Sequence, residues 1–216
     1  MAAASISSLD PVTEQSVTQF LTTSYHNYQY FHNVGQVLLK INPYPQFSYE
    51  SDQVQLMRKV LKPSGADDLP KAHIYIFAES IRRAAQDNSA VQGVIIRGMN
   101  GSGKSEAFKG ILQYLMYADC NHHPEEAAAQ VDHSKPLGLS ANPFILPTDS
   151  SLVCKKLRGA LCVLSAFSSV TTDKNAYSSR GMKYLTLKYS TTTGKLTGFR
   201  LRSIFSELVR TSCKDP

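Results

Sequence analysis

Apolar residues recur at helical spacing in four stretches of the chain and alternate or cluster as strands in three others. Val17, Phe20 and Leu21 share one face of a helix predicted over Pro11 to Tyr25, with Asp10 as N-cap and Pro11 in the first helical position. Tyr28 to Ile41 is rich in aromatic and branched residues and predicts a hairpin with Asn33 and Gly35 near its turn. Asn42-Pro43-Tyr44-Pro45 ends that strand, because each proline lacks an amide donor. Lys62 to Asp68 has a surface-loop composition, and Ile76, Phe77, Ser80 and Ile81 restore the helical period over Ala72 to Gln86.

Val91 to Arg97 then reads as a buried strand, and Ser105 to Asp119 as a helix with Phe108, Ile111, Leu112, Leu115 and Met116 on one stripe. Cys120 to Ser151 is rich in His, Pro, Ala and Ser and predicts a long flexible surface loop. Leu152 to Phe167 is helical again. Tyr184 to Tyr189 and Leu196 to Leu201 alternate at period two around Thr193-Gly194, a second hairpin, and Arg202 to Arg210 is the last ordered element expected.

Composition narrows this picture. With 216 residues, 42% of them apolar and 19% charged, the chain can bury one sizeable core or two small ones. The longest apolar runs, Val37-Leu38-Leu39 and Val94-Ile95-Ile96, fall far short of the ~18 residues of a membrane span. No charged segment precedes an apolar one at the start, so a soluble intracellular protein without a transmembrane segment is expected. Cys120, Cys154, Cys162 and Cys213 form no CxxC pair and read as reduced thiols without a common task.

From Lys155 onward twelve basic residues face three acidic ones, a surplus of nine. A surface of that charge attracts nucleic acid, anionic lipid or an acidic partner. Without interleaved aromatic and basic residues it reads first as a solvated surface, and nucleic acid is not an expected partner.

The chemistry centres on Gly98-Met99-Asn100-Gly101-Ser102-Gly103-Lys104-Ser105, which satisfies G-x-x-x-x-G-K-[ST] between an apolar segment and an amphipathic helix. Phosphate oxygens need many donors at close range. Glycines let backbone amides wrap them, the helix start adds N–H groups and a positive dipole end, Lys104 reaches the outer phosphates, and the Ser105 hydroxyl suits magnesium.

Gly98 to Leu115 (GMNGSGKSEAFKGILQYL) resembles the myosin motor head, in which G-E-S-G-A-G-K-T-E leads into a helix ending I-Q-Y-L. Val37 to Tyr49 (VLLKINPYPQFSY) is similar to that family's strand and adenine-side loop, L-x-x-x-N-P-Y with a later tyrosine. His73 to Ala78 resembles its P-H-I-[FY]-A-[IV]-A helix, and Leu164 to Tyr184 looks like its switch I loop. The resemblance implies an α/β fold: a P-loop NTPase-like twisted mixed sheet flanked by helices, an incomplete myosin-head core.

By the same resemblance, Asn42, Pro43, Tyr44 and Tyr49 approach the adenine of ATP, while Asn175 and Ser178 face phosphate oxygens. Ser105 and Ser179 hold Mg2+, and Arg180 reaches toward switch II. The expected layout is a helix, hairpin and adenine-side loop over residues 10–60, a P-loop unit over 72–119, a loop over 120–151 and a switch I region with a hairpin over 152–216.

Departures from the family pattern are equally legible. Met99 and Asn100 replace an acidic residue and a serine without removing a backbone amide, Tyr177 stands where asparagine is usual, and Gly181-Met182 replace Phe-Gly. Switch II, D-x-x-G-F-E, is absent: Gly198-Phe199 is followed by Arg200. The expectation is therefore Mg-ATP binding with weak or no hydrolysis, since positioning supplies most phosphoryl-transfer catalysis. Actin binding and a cytoplasmic, cytoskeletal location follow from the family alone, and a strand edge left unpaired in the sheet predicts self-association.

Two other readings stay open. One is a non-motor P-loop ATPase or kinase, for which none of Asp149, Asp173 or Glu207 follows a convincing apolar strand; the other is a non-enzymatic remnant that docks a partner or a membrane through its basic third. His122-His123 with Cys120, Asp132 and His133 lacks structural-zinc spacing, Lys155-Lys156 with Arg158 reads as a solvated helix face, and Cys162 as core. Tyr25, Tyr28, Tyr30 and Phe31 read as a hairpin core rather than a base-stacking surface.

Overall fold

The computed structural model describes residues 6–43, 52–63, 69–87, 91–120, 151–172 and 175–205. Tyr44, Tyr49, residues 121–150 of the loop expected over 120–151, and residues 206–210 lie outside them. The described residues fall into two compact units, one running to Ala118 and the other starting at Asp119.

After a single 3-10 turn at Ile6–Ser8, the first unit continues with helix α1, Glu14–His26. Its N-cap is Thr13 and not Asp10, because Thr13 and Ser16 cap each other. The Thr13 hydroxyl accepts from the Ser16 amide at 3.1 Å and the Ser16 hydroxyl from the Thr13 amide at 2.9 Å, satisfying two donors at once. At the other end the Gln29 amide donates to the Ser24 carbonyl (2.9 Å) and the Tyr28 amide to that of Tyr25 (3.1 Å). This Schellman closure puts Tyr28 at φ +59°, a left-handed position that glycine fills at least cost.

Strands β1 (Phe31–Val34) and β2 (Val37–Lys40) pair antiparallel, with Val34 opposite Val37. Gly35 takes φ +59° at the first place of the two-residue turn, as the sequence pattern predicted. Helix α2, Asp52–Leu61, was not among the predicted elements; it buries Met57 and Val60, one turn apart, and its Gln53 accepts the Tyr75 hydroxyl at 3.0 Å. Helix α3 spans Ile74–Asp87 and α4 spans Lys104–Cys120.

Residues 111–119 of α4 are buried on every face, well beyond the predicted stripe, which marks a helix surrounded by protein. The buried polar groups between α3 and α4 are paired. Glu79 receives Arg82 in a bidentate pair at 2.6 and 2.8 Å, Arg83 at 2.6 Å and the Tyr114 hydroxyl at 3.0 Å. Burial pushes the Glu79 carboxyl up, but the guanidinium bonds outweigh it and hold its pKa below the ordinary value. Aromatic contacts run from Phe31 to His73 (4.7 Å), His73 to Tyr75 (4.7 Å) and Tyr75 to Tyr114 (5.8 Å, stacked).

Val91 to Arg97 corrects the predicted buried strand. It pairs with nothing among the described residues, and Val91 and Ile95 are 99% and 92% exposed. An apolar run of this kind is buried only when strands flank it, and no described sheet includes it.

In the second unit α5 spans Leu152–Ser168, capped by the Ser151 hydroxyl, and buries Cys154, Leu157 and Leu161. Strands β3 (Ser169–Thr172) and β4 (Asn175–Ser179) pair antiparallel where a loop was expected. Strands β5 (Gly181–Tyr189) and β6 (Leu196–Phe205) form the second predicted hairpin, longer than its alternation suggested, so Arg202 to Phe205 continue a strand. Helix α5 packs on β6. Asp119 ties this unit together, accepting from the Leu196 amide at 2.6 Å and the Ser151 hydroxyl at 3.2 Å.

All strands among the described residues pair as three separate two-stranded antiparallel sheets, so the single twisted mixed sheet of the prediction is not assembled there. No described helix is long and apolar enough to cross a membrane.

Burial, with the nearby Lys40 charge second, lowers the His73 pKa from 6.5 to about 4, and its Nδ1 accepts the Tyr75 amide at 3.2 Å. Between those pH values the unfolded chain binds a proton that the folded one refuses. Stability is then expected to fall by about 3 kcal/mol as the pH drops through that window. Denaturant melts at pH 7 and pH 4.5 should show the loss, and His73→Phe should flatten it. Tyr28→Gly, at a residue 74% exposed, is expected to raise stability by about 0.5–1 kcal/mol in the same assay.

Candidate functional site

Residues 98–105 turn the chain from the exposed Val91–Arg97 segment into α4. Gly101 and Gly103 take φ +80° and +82°, conformations in which any side chain is strained. The Ser102 amide donates to the Met99 carbonyl at 3.2 Å, closing the turn, and the Ala107 amide donates to the Gly103 carbonyl at 2.9 Å, starting the helix. The amides between them have no helix carbonyl to bond, as in every first helical turn. A Cβ at Gly98 would lie 2.5 Å from the Ser102 hydroxyl, so that glycine keeps the two ends of the turn together.

Lys104, the first residue of α4, folds back over this turn. Its ammonium donates to the Gly98 carbonyl at 2.7 Å and the Met99 carbonyl at 2.6 Å. Ser105 is exposed. In the next position Glu106 pairs with Lys109 at 2.7 Å, which offsets an acidic charge in the first turn of α4. Lys40, at the end of β2, has its pKa lowered by burial and partly restored by the Glu106 charge.

Asn42 sits against the turn rather than merely near it. Its side-chain amide donates to the Gly101 carbonyl at 2.8 Å, and a Cβ at Gly103 would come within 3.3 Å of that amide. The family resemblance placed Asn42 on the adenine side and did not show this clamp on the loop; the signal available was only a polar residue just past a strand. The Pro43 carbonyl accepts the Tyr25 hydroxyl at 3.4 Å, holding the strand end against α1.

The remaining candidates belong to the second unit. Asn175, Ser178 and Ser179 share β4, opposite Thr172, Val170 and Ser169 respectively. The Ser179 hydroxyl is exposed and donates to the Gly181 carbonyl at 3.2 Å. The Arg180 amide donates to the Ser168 carbonyl at 2.8 Å, pinning the strand end to the end of α5. Among the described residues no group of three His, Cys, Asp or Glu side chains could hold a metal ion.

The model of the myosin head (motor domain) family matches residues 3–212. The chain is 29% identical over 198 residues to a myosin IA heavy chain of Dictyostelium discoideum, covering 89% of this chain and 17% of that protein. It is 28% identical over 186 residues to an unconventional myosin-Ia of Gallus gallus, covering 84% of this chain and 14% of that one. A myosin-51 of Schizosaccharomyces pombe is 29% identical over 187 residues, 85% of this chain and 11% of that protein. The chain thus spans less than a fifth of the length of these relatives.

The Asn42 clamp and the Gly103 conformation should be separable by mutation. Asn42→Ala is expected to cost about 1 kcal/mol of stability, and Gly103→Ala about 1–2 kcal/mol. The double variant should lose less than the two together, because removing Asn42 clears the space that the new methyl needs. Urea titration of the four proteins measures that coupling.

Proposed function

This chain belongs to the myosin head (motor domain) family, and on that premise we propose that it binds ATP with Mg2+ through the turn Gly98–Ser105. The observation that carries the reading is the pair of left-handed glycines, Gly101 and Gly103, set directly before the first turn of α4 and braced by Asn42. A glycine turn leading into a helix start offers backbone amides and the positive end of a helix dipole, the chemistry that an anionic phosphate chain needs.

In this reading Lys104 exchanges its two carbonyl contacts for the outer phosphates, which neutralise it better. Gly98, Met99, Asn100, Gly101 and Gly103 supply backbone donors beside Ser102, whose own amide closes the turn on the Met99 carbonyl, while Asn42, Pro43, Tyr44 and Tyr49 form the adenine side. Ser105 and Ser179 would hold the magnesium ion. Both are exposed hydroxyls, and hard oxygen donors that leave room for phosphate and water are what that ion prefers. Asn175 and Ser178 face the phosphate oxygens and Arg180 completes the switch I arm.

Turnover by these 216 residues is proposed to be slow, because they contain no D-x-x-G-F-E segment to place the attacking water. Actin binding, movement and a cytoskeletal location are proposed for the whole protein and not for this segment alone. The exposed apolar residues Val91, Val94 and Ile95 support self-association of the isolated chain.

Titration with a fluorescent ATP analogue tests the reading. Saturable binding below ~1 mM that strengthens with magnesium is expected, and Lys104→Ala should weaken it at least tenfold, or about 1.4 kcal/mol. Absence of saturation in that range, or identical curves for the wild type and Lys104→Ala, would refute it. Circular dichroism of both proteins establishes that the variant is folded.

A further inference from the structure

Thirty-four positions separate Cys120 from Cys154 in the chain, yet the fold sets the Cys154 sulfur 3.6 Å from Oδ2 of Asp119, the residue directly before Cys120. Cys120 is the last residue of α4 and is partly exposed; Cys154 sits in the first turn of α5 and is fully buried. The Cys154 thiol is in hydrogen-bonding contact with that of Cys120 and also donates to Asp119 Oδ2 at 3.6 Å. The sequence pattern assigned these cysteines no common task, and this placement gives them one.

We propose that Cys120 and Cys154 are a thiol pair that peroxide converts reversibly to a disulfide, tying the end of α4 to the start of α5. The two residues have distinct parts. Hydrogen bonding to Cys120 and burial push the Cys154 thiol well above its ordinary range, so it is a poor first nucleophile. Cys120 is the residue that a small oxidant reaches. Its sulfur, as thiolate, attacks hydrogen peroxide; the S–O bond forms, the O–O bond breaks, and hydroxide leaves as water after taking a proton.

Cys154 sulfur then attacks the Cys120 sulfenic sulfur. The S–S bond forms, the S–O bond breaks, and the Cys154 proton passes to the Asp119 carboxylate and on to the departing hydroxide as a second water. Two thiols lose two electrons and two protons, and one peroxide becomes two waters. Thiol–disulfide exchange with a small dithiol reverses the bond. Asp119 is well placed for the proton because it is anchored by the Leu196 amide and the Ser151 hydroxyl, which keep Oδ2 beside the Cys154 sulfur.

The test treats the full reduced chain with hydrogen peroxide and maps its peptides by mass without reduction. The expected result is a fall from four free thiols to two, with one linked peptide pair containing Cys120 and Cys154, lighter by two hydrogens and released by dithiothreitol. In guanidinium chloride the same treatment should scatter linkages among all four cysteines. Cys154→Ala should leave Cys120 as a sulfenic acid that dimedone traps. Sulfenic or sulfinic Cys120 in the folded wild type with no Cys120–Cys154 link would overturn the proposal, as would linkage to Cys162 or Cys213 in equal amount. So would a folded-state pattern identical to the denatured one.

Discussion

A single side-chain hydrogen bond, from the Asn42 amide to the Gly101 carbonyl, fixes where the glycine turn lies relative to the strand before it and the helix after it. Gly101 and Gly103 occupy backbone conformations that favour no particular neighbour, and a loop with that freedom is entropically costly to order. Asn42 reduces the freedom from outside, while the backbone bonds at Met99 and Gly103 reduce it from within. What results is a turn whose backbone is held by its own contacts, and in the proposed function that order lowers the entropic cost of binding an anionic phosphate chain.

The surroundings of that turn keep it on a firm base. Helix α4 begins with Lys104 and is buried on all sides over residues 111–119, so its axis is set by packing and not by its own propensity. Inside the first unit the Glu79 network satisfies the charges that this packing buries. Removing one member of such a network leaves an uncompensated buried group, which costs more than the intact, mutually bonded set. In the second unit Asp119 plays a comparable part with neutral donors, joining the end of α4, the cap of α5 and the start of β6.

Much of this was legible in the sequence where local patterning decides the outcome. The hairpin around Gly35, the helix over Leu152 to Ser168 and the hairpin around Gly194 all carry their period and their turn residue within a few positions. The start of α1 was misplaced because Thr13 and Ser16 cap reciprocally, a bond pattern that outweighs a lone Asp-Pro. Val91 to Arg97 has the composition of a central strand, but composition does not supply the neighbours that would bury it. The glycine motif was readable from spacing, and the family from the resemblance of Val37–Tyr49, His73–Ala78, Gly98–Leu115 and Leu164–Tyr184 to the myosin head. The clamp by Asn42 and the meeting of Cys120 with Cys154 were not, since both join residues far apart in the chain.

The central claim, that the turn before α4 is a ready-made triphosphate cradle, is tested most directly by amide hydrogen exchange of the folded chain with and without Mg-ATP. The account predicts slowed exchange concentrated at the amides of residues 98–106, with a second protected stretch at 175–180 and little change in α1. Unchanged exchange across 98–106 at saturating nucleotide, or protection appearing only elsewhere, would contradict it.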